Sequence, residues 1–105
     1  MFSGGDYQEV GRWVANFVTA HAKRARLEAE AVIDTEGARE GKSYGVRLRL
    51  GRRLCPAAPE PPLDLDYAEV AARRGNLAWC AELAARVASL ARGCAQADQG
   101  SRHPA

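Results

Sequence analysis

Between Tyr7 and Leu50 the spacing of apolar residues changes once, from every third or fourth position to every second. That change dictates a helix followed by strands. Tyr7, Val10, Val14, Phe17, Val18 and His21 recur at helical spacing, while Gln8, Glu9, Arg12 and Asn16 fall off the stripe and Trp13 stands at its edge. Asp6 precedes the stripe and Glu9 follows three residues later, an acidic version of the capping box. The pattern predicts a helix from about Tyr7 to Lys23. Gly11 inside it costs about 1 kcal/mol against Ala, so it marks a place where another backbone comes close.

The period then becomes two. Leu27, Ala29, Ala31 and Ile33 alternate with Glu28, Glu30, Val32 and Asp34; after a turn with two glycines, Tyr44, Val46, Leu48 and Leu50 alternate with Gly45, Arg47 and Arg49. A hairpin is the natural reading. Matching the apolar faces pairs Ile33 with Tyr44 and Ala29 with Leu48, which sets Glu30 opposite Arg47 and Glu28 opposite Arg49. A two-residue slip still pairs Glu30 with Arg49, whereas a one-residue slip turns charge into the core.

Residues 51–62 hold four of the five prolines and read as a connector rather than a ladder. Leu63 and Leu65 suit a short third strand. Asp66, with Glu69 three residues on, caps a second helix whose stripe is Leu77, Trp79, Cys80, Leu83, Val87 and Leu90. Gly75-Asn76 is either a weak point in one long helix or a stop and a new cap; one helix is the expectation. Gly93, after Arg92, is expected to end it. Residues 96–105 read as a polar, disordered tail.

The expected fold is therefore α+β: one domain over residues 1–95, two-layered, with an antiparallel hairpin sheet against an N-terminal helix and a long C-terminal helix. A two-stranded sheet is marginal, so a homodimer that joins two hairpins is the natural completion.

Chemistry is harder to find. Basic and acidic residues number 15 and 13, a net charge of +2 that excludes a strong steering field. Thirteen of the basic residues are Arg and 2 are Lys, which together with the Ala, Gly and Pro usage reads as the coding bias of a GC-rich, bacterial genome. No apolar stretch approaches the ~20 residues of a membrane span. The N-terminus lacks a basic and apolar leader. Cys55, Cys80 and Cys94 are odd in number and widely spaced, which implies reduced thiols and a cytoplasmic setting.

None of the cysteines, His21 or His103 forms a metal-ligand pair, so neither metal nor cofactor is expected. Cys55 follows Arg52-Arg53 but has no base placed near it; it reads as an inert loop thiol. Asp64 and Asp66 lack the second carboxylate cluster that glycoside or metal chemistry needs. Residues 37–43 end in Gly-Lys-Ser, but the glycines are one residue too close and a strand follows where a phosphate loop needs a helix.

Two function classes remain. One is a non-enzymatic accessory or protein-binding module acting as a homodimer, with Trp13 and Trp79 as interface anchors. The other is a small nucleic-acid-binding regulator using Arg47, Arg49, Arg52, Arg53, Arg73 and Arg74, with Lys23, Arg24 and Arg26 as a second basic group.

Overall fold

The computed structural model describes residues 5–57 and 60–101. Helix α1 spans Tyr7–Lys23, and Asp6 caps it by accepting the Glu9 N–H at 2.7 Å. Val10, Val14, Val18 and Ala22 are fully buried along it. Each such Val contributes roughly 1.5–3 kcal/mol by leaving water. Strand β1 (Ala29–Asp34), a 3₁₀ turn (Gly37–Arg39) and strand β2 (Ser43–Leu50) form the expected hairpin. Short strands β3 (Arg53–Cys55) and β4 (Leu63–Asp66) follow, then helices α2 (Tyr67–Arg73) and α3 (Leu77–Ser101).

The hairpin register is the two-residue slip of the expected one: Ala29 faces Leu50, Glu30 faces Arg49 and Ile33 faces Val46. The apolar faces match equally well in either register. In the observed one, Ser43 and Tyr44 extend past the end of β1 and pair on the other side of β2 with Asp66 and Leu65 of β4.

Strand β2 has β1 along one side. On its other side lie β3, opposite Leu48–Leu50, and β4, opposite Ser43–Val46. The third position of the sheet is thus one strand cut in two by the proline-rich segment. Proline has no N–H to give a ladder, so the chain leaves the sheet there. The Arg47 guanidinium donates to the Pro56 carbonyl across the interruption. The β2–β3 turn uses Gly51 at φ 66°, a left-handed conformation open to glycine. The connector therefore contains a strand that the proline count concealed. The chain also completes its own four-stranded sheet, which removes the reason for joining two hairpins.

The second helix is broken, contrary to expectation. Helix α2 ends at Arg73, and the Asn76 side chain accepts the Trp79 N–H at 2.9 Å, an N-cap for α3. Replacing Asn76 with Ala is expected to cost about 1 kcal/mol, measured by urea denaturation. No change in midpoint would make the cap energetically idle. Leu77, read as part of the buried stripe, is 87% exposed. Gly93 does not stop α3, which continues to Ser101 through residues read as tail. Residues 102–105 lie outside the described part.

The core sits between the sheet and the helices: Tyr44, Val46, Leu48 and Leu65 from the sheet meet Val14, Val18, Val70, Leu83 and Val87. Cys94 and Cys55 are joined by a disulfide across 39 residues of sequence. The expected reduced thiols are corrected here, as is the loop position of Cys55, which lies on β3. Cys80 remains free, and burial pushes its thiol pKa up.

Candidate functional site

The start of α1 is tied down by three tyrosines. The Tyr7 hydroxyl lies 2.5 Å from the Ser43 carbonyl and 3.0 Å from that of Arg39, and donates to one at a time. Tyr44 donates to the Tyr7 carbonyl at 2.7 Å, and Tyr67 to that of Gly5 at 2.5 Å. The Tyr7 and Tyr44 rings stack at 4.7 Å. Gly11 makes room for this: a Cβ there would sit 3.1 Å from the Tyr44 ring, so the close neighbour is a side chain and not a backbone. Arg39 lies over Gly45, hydrogen-bonds Ser43 at 3.1 Å and pairs with Asp64 at 2.7 Å. Asp64 is thus an ion-pair partner, and Asp66 caps α2 through the Glu69 N–H at 3.2 Å. These groups hold the fold together.

The two tryptophans come together. Trp13 lies 4.8 Å from Phe17 and 6.3 Å from Trp79, and Phe17 lies 4.4 Å from His21. All four are half-buried. The row joins α1 to α3, so the tryptophans meet within this chain and each keeps part of its surface exposed. Trp13 meets the first turn of α3, and His21 and Arg24 share a groove with Ala84, Ala88 and Arg92. Numbers rise together along both helices, which therefore run in the same direction.

What α3 leaves open is its outward side. Leu77, Ala81 and Ala85 are exposed at intervals of four residues, while Ala88, half-buried, and Arg92 follow on the side that borders α1. Leu27 and Leu54 are also exposed, at 82% and 44%, but each stands away from this line on the α1–β1 loop and on β3. The residues mark this helix as Ala-rich and suited to close packing against another helix, but not which side is open, because a period-3.6 stripe of mostly Ala reads the same on either side.

The arginines do not form one patch. Arg49 pairs with Glu30 at 2.6 Å, and Arg26 with Glu28 at 2.5 Å; these bonds hold both carboxyls below the usual range. Arg52 and Arg53 sit at the β2–β3 turn, while Arg73 and Arg74 end α2 beside the start of α1, at the other end of the sheet. The basic group at the end of α1 does share the first of these ends: Arg26 and Arg53 line one cleft. In the neighbouring groove His21, Arg24 and Arg92 meet no acidic lining residue.

Among the described residues no group of His, Cys, Asp and Glu is placed to hold a metal ion, and no helix is long and apolar enough to cross a membrane. His103 lies outside them. The Gly-Lys-Ser run opens β2, with no helix behind it. No protein-family model matches this chain, and comparison with curated proteins and with solved structures finds none similar to it.

Proposed function

We propose that this chain is a non-enzymatic accessory module that works as a homodimer, or with a protein partner, through the outward side of α3. The observation that carries the reading is Leu77, 87% exposed at the head of a line of exposed alanines. Small side chains let two helices approach to the short end of the usual ~8–10 Å interaxial range. A two-fold axis near Ala84, with the helices antiparallel, would set Glu82 of each copy near Arg86 of the other. The β1 edge is less suited to pairing. The Thr19 hydroxyl already accepts the Ala31 N–H at 3.0 Å, and Ala29 donates to the Arg26 carbonyl.

A bacterial, cytoplasmic setting was the expectation from composition and reduced thiols. The second support falls with the disulfide, and an oxidising compartment suits the paired cysteines better.

The nucleic-acid reading has one observation in its favour, the gathering of Arg24, Arg26, Arg52, Arg53 and Arg92 at one end. Against it stand the acidic partners of Arg26 and Arg49 and the distance to Arg73 and Arg74.

Size-exclusion chromatography with light scattering distinguishes these readings. A dimer that Ala81→Arg or Ala85→Glu converts to a folded monomer is the expected result. A wild-type monomer at all concentrations defeats the homodimer. Nucleic acid that co-elutes and leaves at high salt would put the basic end first.

A further inference from the structure

We infer that the Cys55–Cys94 disulfide is a site of thiol–disulfide exchange with a small zwitterionic peptide thiol, which binds in the cleft above it. The cleft has a volume of about 260 Å³, and both cysteines line it. This is slightly below the ~300–1,000 Å³ of sites for drug-sized ligands, and so suits a smaller one. Leu50, Leu54 and Pro56 give it an apolar wall. Arg26 and Arg53, with Glu28 and Glu60, supply charges of both signs around it. That mixture suits a molecule with carboxylates and an ammonium group.

The two sulfurs differ. Cys55 is half-buried on a three-residue strand at the sheet's margin, whereas Cys94 is 3% exposed. Attack therefore falls on Cys55. The incoming thiolate bonds to the Cys55 Sγ, the Cys55–Cys94 bond breaks, and its electron pair leaves on the Cys94 sulfur, which takes a proton from solvent. A second peptide thiolate then attacks the peptide sulfur of the mixed disulfide. Cys55 departs as a thiolate and is protonated. Two thiols are oxidised to one disulfide, and one protein disulfide is reduced to two thiols. The product has the end of α3 uncoupled from β3.

The test uses the full chain carrying Cys80→Ala, so that no other thiol reports. Reduced glutathione and 2-mercaptoethanol serve as probes, and adducts are located by peptide mass spectrometry. The expected result is a mixed disulfide on Cys55, with a rate that saturates with glutathione and rises linearly with 2-mercaptoethanol. Arg53→Gln, checked for unchanged circular dichroism, should raise the half-saturating glutathione concentration several-fold. Exchange at the rate of global unfolding, adducts on Cys94, or linear kinetics with both thiols would each overturn the inference.

Discussion

Breaking the Cys55–Cys94 bond is expected to lower the unfolding free energy by about 4 kcal/mol. The bond joins residues 39 apart in sequence. Cross-linking removes loop-closure entropy from the unfolded chain, and for a loop of that length the chain-entropy relation gives about 4 kcal/mol at 25 °C. A small domain has roughly 5–15 kcal/mol in total. For a chain of this size the loss corresponds to a fall in Tm of roughly 15–30 °C. The comparison to make is calorimetry of the oxidised protein, the chemically reduced protein and the Cys55→Ala/Cys94→Ala variant. Both altered forms should melt early and close together. If reduction leaves Tm within a few degrees, non-covalent packing of α3 holds that end of the fold and the bond is thermodynamically redundant.

The second large effect belongs to Tyr44. It is fully buried, stacks on Tyr7, and reaches the Tyr7 carbonyl from the middle of the sheet. Replacement by Ala leaves an aromatic-sized hole beneath α1, and a cost of about 3–5 kcal/mol is expected in denaturant unfolding. Tyr44→Phe keeps the ring and loses one hydrogen bond, at about 0.5–1.5 kcal/mol. Equal losses for the two variants would refute the assignment of the main contribution to the ring.

The same residue sets an alkaline limit. Burial raises the pKa of Tyr44, and to a smaller extent that of Tyr7, above the usual tyrosine value of about 10. The folded state then keeps the neutral phenol after the unfolded chain has begun to lose its proton. The contribution is fully present below the unfolded pKa, and it falls as pH climbs above about 10 toward the folded value. Tyr44→Phe should flatten the decline of stability above that pH.

Much of this architecture is legible in the residues. Helix α1 has the predicted bounds because Asp6 and Glu9 mark its start and a dense valine stripe carries it to Lys23. The hairpin is equally plain. Its register is not, since alternation repeats every two residues and Glu30 finds an arginine either way. The break before α3 turns on one side-chain oxygen, that of Asn76, competing with helix continuation. The disulfide is a fact of distance alone: nothing local to Cys55 or Cys94 announces that the chain returns to within a Cα–Cα separation of 5.8 Å. Trp13 is legible at the edge of the first stripe and Trp79 on the stripe of the second helix. That they would face each other depended on α1 and α3 running in the same direction, which no local pattern encodes.

Strand β2 is one side of every ladder in the sheet. Strands β1, β3 and β4 can each detach and leave the other pairings standing, whereas the loss of β2 dissolves them all. Amide exchange should therefore be hierarchical. The three-residue β3 sheds protection first, by partial opening. The amides of Arg47 and Arg49, which face β1 rather than β3 or β4, exchange only when the domain unfolds globally, and so report its total stability.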